Sequence, residues 1–204
     1  MVQALVKPIS FDEFIDWYPE DALCRYELRR GRIIEMPKPK GKHSRVAGDL
    51  GVTLGSTIRR SDLPYFIPRE CIINTVDDTG YEPDIIVLDP DALDQEPRWE
   101  SGSILEKGTS IKLVVEVVST NWRDDYVVKM ADYEAIEIPE YWVVDYLGLG
   151  GRRFIGDPKQ PTVTVCTLVN GEYEMHLFSG SDRIISPLFP NLELTAAQIL
   201  LLDS

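Results

Sequence analysis

The run Ile111 to Val118 constrains the fold more than any other stretch of the chain. Its residues are apolar and mostly β-branched apart from Lys112 and Glu116. A near-continuous run of this kind reads as a strand covered on both faces, because a half-exposed strand would alternate apolar and polar residues. Ile85 to Leu88 has the same character, and Tyr141 to Asp145 reads as a third strand. Between the second and third runs, Asp124 to Ile136 has helical spacing, with Val127, Met130 and Ala131 on one side and Lys129 and Tyr133 stacked at i, i+4 on another. The stretch Asp89 to Gly108, rich in Pro, Asp, Glu and Gly, reads as a long loop that is mobile or folds over a site.

The flanking segments fit around these strands. Ser10 and Glu13 have capping-box spacing for a short helix that Pro19 ends. Arg25 to Leu28 and Arg32 to Met36 form a hairpin through Arg29-Arg30-Gly31, and Lys38 to His43 is a basic loop. From Ser44 to Arg60, Val46, Ala47, Leu50, Leu54 and Ile58 make one helical stripe. Tyr65 to Ile67 and Glu70 to Thr75 read as strand broken at Pro68. Asn170-Gly171 joins Val163–Val169 to Glu172–Leu177 as a hairpin, and Thr195 with Gln198 caps a last helix. The order predicts an α/β protein with a mixed sheet flanked by helices and appended β-hairpins, in a single domain over residues 1–204.

Composition narrows the class. No uncharged apolar run is long enough to span a bilayer, and Met1 to Pro8 lacks the apolar core and cleavage site of a secretory signal, so a cytoplasmic protein with no membrane partner is expected. Cys24, Cys71 and Cys166 are isolated and odd in number, which fits buried thiols and not a disulfide framework. The net charge is -13, yet Arg25 to Arg60 holds ten Lys/Arg against three acids, a local +7 that leaves -20 elsewhere. Binding responds to the local field, so a solvated surface and a phosphate-tracking surface are both open for this segment.

The chemistry lies in the buried runs. Asp84 opens one of them after Pro83, and Glu116 sits inside the next. A carboxylate in an apolar strand carries a desolvation cost unless it is paired or bound to metal. On adjacent strands Asp84 and Glu116 converge on one hard cation such as Mg²⁺, with the carbonyl of Val117 as a further oxygen. Such a cation supports phosphodiester hydrolysis, and a nearby ammonium, for which Lys129 is the candidate, orients water or offsets developing charge.

Pro83-Asp84 followed by Glu116-Val117-Val118 resembles the PD-(D/E)XK nuclease superfamily, with Val118 where the lysine usually stands. Leu113-Val-Val-Glu-Val-Val-Ser119, Lys129-Met-Ala-Asp-Tyr133 and Pro139-Glu-Tyr-Trp-Val-Val-Asp145 are similar to a bacterial restriction endonuclease family within it. In that family the lysine has moved to the following helix, a position that Lys129 matches. Tyr26-Glu27-Leu28, Gly31 and His43 match its N-terminal pattern. The resemblance covers roughly Arg25 to Asp145 and implies a restriction-endonuclease-like αβββαβ core, Mg²⁺- or Mn²⁺-dependent DNA cleavage, and a homodimer. Two departures stand out: Ser119 to Arg123 lacks the usual Pro, and Ala135 to Ile138 lacks the usual Gly.

Each candidate has a plainer role beside the catalytic one. Asp84 would cap a turn, Lys129 would pair with Asp125 at i−4, His43 would cap its helix, and Glu27 would pair with a neighbouring Arg. On the functional reading Asp84, Glu116 and Val117 hold the cation, with Lys129, Glu27 and His43 around them. The competing readings are a nuclease-fold binding or assembly module without catalysis, favoured by the missing strand lysine and the acidic total, and a metal-dependent hydrolase of small esters.

Overall fold

The computed structural model describes residues 7–19 and 24–201. Most of the stretch read as lacking a secretory signal lies outside them. Helix α1 (Phe11–Trp17) starts at a reciprocal cap: Ser10 Oγ accepts from the Glu13 amide at 3.1 Å and Glu13 Oε2 accepts from the Ser10 amide at 2.7 Å. Strands β1 (Arg25–Arg29) and β2 (Arg32–Met36) follow, joined by Arg30 and Gly31 at φ 49° and 75°. Positive φ at both central residues matches the twist of the hairpin. A side chain at Gly31 would also meet Pro8 Cβ at 2.6 Å.

Helix α2 (Gly41–Arg60) begins earlier than its apolar stripe suggested and takes His43 into its first turn. Strands β3 (Ile72–Asn74), β4 (Gly80–Tyr81) and β5 (Ile85–Leu88) come next. The strand expected at Tyr65 to Ile67 reduces to one bridge, between Phe66 and Leu88. The stretch 89–108 corrects the expectation of a long loop. It folds as a 3₁₀ turn at Pro90–Gln95, a single helical turn α3 (Trp99–Gly102) and β6 (Ile104–Leu105). Buried Glu96 anchors it by accepting from the amides of Glu106 at 2.8 Å and Lys107 at 3.1 Å. Pieces this short carry no readable periodicity.

Strand β7 (Ile111–Val117) leads into a π-helical turn, Asp124–Lys129, that continues as α4 (Met130–Ala135) and returns through β8 (Glu140–Asp145). A single turn α5 (Arg152–Ile155), the hairpin β9 (Thr162–Val169) and β10 (Glu172–Phe178), and α6 (Ala196–Leu200) complete the chain. The central sheet has the order β10-β9-β8-β7-β5, with β7 and β8 parallel and β5 antiparallel to β7. The terminal hairpin therefore extends this sheet, through β9 against β8. The N-terminal hairpin belongs to a second sheet, β2-β1-β4-β3-β6.

The uniform apolarity of the central strands has a direct cause. Leu113, Val115 and Val117 of β7, with Ile85 and Val87 of β5, pack against the Val46-Leu50-Leu54-Ile58 stripe of α2. Val114 and Val118, with Ile86 and Leu88, pack on the other face against Tyr126, Tyr133 and Tyr141. Both faces are covered, so neither needs polar residues. Helix α4 with its π turn is the element whose orientation the spacing does not reveal. Val127 and Val128 face solvent at 49% and 39% exposure, while Asp125, Tyr126, Lys129, Asp132 and Tyr133 face inward. The inward polar groups find partners on the other elements. Asp132 accepts from Tyr81 Oη at 2.6 Å and from Arg30 Nη2 at 2.6 Å.

Candidate active site

The register of β5 on β7 pairs Ile85 with Val115, so Asp84 and Glu116 face each other one step further along. Period-two alternation puts both on the α4 side of the sheet. Asp84 Oδ2 accepts from the Val117 amide at 2.8 Å, which fixes the carboxylate at the strand end. His43, delivered by the first turn of α2, donates from Nε2 to the Val117 carbonyl at 2.9 Å and lies 3.4 Å from Asp84 Oδ2. Its Nδ1 is buried without a partner among the described residues. The strand pair and the long helix thus bring Asp84, Val117 and His43 to one point.

Lys129 enters from the π turn. Its Nζ donates to Glu27 Oε1 and to Glu116 Oε1, each at 2.9 Å. The expected pairing of Lys129 with Asp125 does not form; an ammonium with three donors instead ties β1 to β7. Glu27 also accepts from Arg29 Nη2 at 2.7 Å, so the plainer reading of Glu27 as the partner of a neighbouring Arg holds alongside the Lys129 contact. Arg29 reaches on to Asp124 at 2.5 Å. The result is an alternating ladder, Asp124–Arg29–Glu27–Lys129–Glu116, with Tyr133 Oη donating to Glu116 at 2.9 Å.

The electrostatics follow from this arrangement. Burial works against the Lys129 ammonium, yet Glu116 and Glu27 outweigh it and hold its pKa well above the ordinary lysine value. Burial likewise opposes ionisation of Glu27, but Lys129 and Arg29 prevail and lower its pKa. For Glu116 the balance tips the other way. Burial, with Asp84 and Glu27 nearby, pushes it up to about 7 in spite of Lys129. Glu116 therefore sits where it accumulates negative charge at a cost, while Lys129 stays charged.

All six residues singled out from the sequence, Asp84, Glu116, Val117, Lys129, Glu27 and His43, line one cavity of about 200 Å³. Arg29, Asp124 and Asp125 line it too and were not foreseen as site residues. The acidic pair at the start of the helix that follows the strand bearing Glu116 was the one available signal for two of them. A larger groove of about 830 Å³ runs alongside and shares Arg25, Met36 to Pro39 and Glu82 with the cavity, but it holds neither Asp84 nor Glu116. The basic segment divides. Arg29, Arg30 and Arg25 are spent on carboxylates, whereas Lys38 and Lys40 are exposed at the cavity mouth and Lys42 lies over the Tyr146 ring at 5.4 Å.

Among the described residues no group of three or more His, Cys, Asp or Glu is placed to hold a metal ion. Two facing carboxylates and a backbone carbonyl are nonetheless the hard-oxygen set that suits Mg²⁺, which takes one or two carboxylates and keeps several waters. The cavity also carries unbalanced charge. Its less exposed walls present Glu27, Glu82, Asp84, Glu116, Asp124 and Asp125 against Arg25, Arg29 and Lys129. An added divalent cation would relieve that surplus, so the residues fit the group.

Comparison with known proteins follows the same lines. A crystal structure from Anabaena variabilis ATCC 29413, described as a putative nuclease belonging to DUF820, superposes with a TM-score of 0.71 at 22% identity. The match covers 95% of this chain and 98% of that one, and it shows a shared restriction-endonuclease-like fold. No curated relative matches the chain. No helix among the described residues is long and apolar enough to cross a membrane. The family model described as "Uma2: Putative restriction endonuclease" matches residues 11–197, nearly the whole chain, and the protein belongs to that family.

Proposed function

We propose that this protein is a metal-dependent endonuclease that hydrolyses phosphodiester bonds in DNA. The carrying observation is the pairing of Asp84 with Glu116 on adjacent strands beside the Val117 carbonyl, in one cavity with a basic mouth. Asp84, Glu116 and the Val117 carbonyl would hold Mg²⁺ or Mn²⁺. The cation would supply Lewis acidity, polarising a phosphoryl oxygen and lowering the pKa of a bound water so that hydroxide is available as the nucleophile. Lys38 and Lys40 at the mouth, with Lys42 beside them, track the phosphate backbone, a contact whose strength falls with salt.

The role of Lys129 follows from its surroundings. A lysine held charged by two carboxylates cannot take a proton from water at neutral pH. With two of its three donors spent on Glu27 and Glu116, it orients Glu116 and offers a fixed positive charge. His43, donating to the Val117 carbonyl, holds the strand end at the spacing Asp84 requires. The assembly we propose is a homodimer that presents one such cavity to each strand of a duplex; sedimentation of the purified protein measures this.

Purified protein with Mg²⁺ or Mn²⁺ should nick supercoiled DNA, and Asp84→Ala and Glu116→Ala should each abolish nicking. Cleavage that survives both substitutions refutes the assignment. One observation favours a second reading, a nuclease-fold binding module. Two of the three Lys129 donors are engaged in ion pairs, and the Val117 carbonyl already accepts from His43. Such a module would bind DNA equally with and without divalent cation, and with either carboxylate replaced.

A further inference from the structure

The ladder of ion pairs leaves one acid of the cavity over. Asp125 is 6% exposed and lines the cavity with Asp84 and Glu116. Its backbone carbonyl accepts from Tyr141 Oη at 2.9 Å, but its carboxylate makes no hydrogen bond or ion pair among the described residues. Its neighbours in the sequence are all accounted for: Asp124 is on Arg29 and Lys129 is on Glu27 and Glu116. The segment that carries it, Asp124–Lys129, is a π turn, a rare conformation that occurs mostly as single turns and is frequent at functional sites. In a regular helix Asp125 and Lys129 would be neighbours at i, i+4 and would pair. Here the turn directs Lys129 to the carboxylates of β1 and β7 and leaves Asp125 facing the cavity.

A carboxylate this deep on the cavity wall, with no hydrogen bond or ion pair to the described residues, is costly and is retained where something else compensates it. We propose that Asp125 is a further member of the cation site, acting from the cavity wall on the water shell of the bound ion. The inference rests on the cation reading of Asp84 and Glu116. It adds a residue outside the two facing carboxylates and explains why the cavity carries more acid than Lys129 and the two arginines balance. Direct ligation by three side chains is not available among the described residues, and an ion that keeps several waters does not need it. Asp125 also contributes charge that favours a divalent over a monovalent ion.

The test uses the full chain stripped of metal with EDTA and then titrated with MnCl₂ and MgCl₂ by calorimetry, with thermal melts run with and without each salt. Wild type, Asp84→Asn, Asp125→Asn and Asp125→Ala are compared. The expected result is at least a tenfold loss of Mn²⁺ affinity in Asp125→Asn, a reduced metal-induced rise in Tm, and a metal-free Tm equal to or above wild type. Removing an unpaired buried charge relieves the apo protein, whereas removing a structural acid would weaken it. Wild-type affinity in both Asp125 variants overturns the proposal, as does a metal-free Tm below wild type in both, or insolubility of both. If wild type binds no divalent ion, or Asp84→Asn binds as wild type does, the cation reading itself fails and the proposal with it. Loss in Asp84→Asn with wild-type binding in the Asp125 variants refutes the role of Asp125 alone.

Discussion

Replacing Lys129 by methionine tests whether the lysine holds the site together. The side chain is only 4% exposed, and its ammonium is shared between Glu27 and Glu116, which are 1% and 5% exposed. Methionine fills much of the same volume but leaves both carboxylates without that cation. Glu27 keeps Arg29 at 2.7 Å, so most of the cost falls on Glu116, which keeps only the Tyr133 hydroxyl. Breaking a buried pair from one side costs about 3–5 kcal/mol. At about 2–4 °C per kcal/mol for a chain of this size, Tm should fall by roughly 6–20 °C. Urea denaturation followed by tryptophan fluorescence at pH 7 measures the loss. At pH 5 the loss should shrink, because Glu116, already pushed up to about 7 in the presence of Lys129, protonates and no longer needs a cation. The double variant Lys129→Met/Glu116→Gln should recover at least about 2 kcal/mol relative to additivity. A loss under about 1 kcal/mol at pH 7, or one of equal size at both pH values, would refute the reasoning and show that the carboxylates relax into water.

Three further outcomes are expected. The folded-state pKa of Glu116 lies above the unfolded value of 4.5, so its contribution is fully present below that value and is lost as pH rises through about 7. Metal-free Glu116→Gln should therefore gain stability relative to wild type between pH 4.5 and 7 in parallel urea titrations, and superimposable pH profiles would contradict this. Asp132→Ala removes the acceptor of Tyr81 Oη and Arg30, both at 2.6 Å, and should cost about 1–3 kcal/mol by the same assay, since Arg30 is half exposed and recovers water while Tyr81 is buried. Gly108→Ala places a Cβ 1.8 Å from the Ile136 carbonyl oxygen, where backbone must move, and should cost about 1–3 kcal/mol or more; an unchanged Tm would show that the loop shifts freely.

Much of this protein was legible without coordinates. The apolar runs of β5, β7 and β8 announced strands buried on both faces, because a strand between two helical layers has no polar face to show. The spacing of Val46, Leu50, Leu54 and Ile58 marked α2, and Asn170-Gly171 marked the last hairpin through its need for positive φ. Asp84 and Glu116 stood out as acids at the edge of or within apolar strands, where only pairing or a cation compensates them. Lys129 stood out as the nearest ammonium, the family resemblance added Glu27 and His43, and all of these reach one cavity.

What the sequence could not decide were relations between distant segments. Helix periodicity names faces but not which face turns inward, so Val127 was grouped with Met130 and Ala131 on an apolar side, and Val127 and Ala131 emerged at the surface. The polar side is buried because Arg29 and Arg30 of the N-terminal hairpin and Tyr81 of the second sheet supply its partners, and no local pattern records contacts across 51 to 102 residues. The same holds for Lys129, whose local option was Asp125 and whose actual partners lie on two different sheets. Local chemistry determined which residues could form a hydrolytic site. Only the tertiary packing decided which charges neutralise one another and which acid is left facing the cavity.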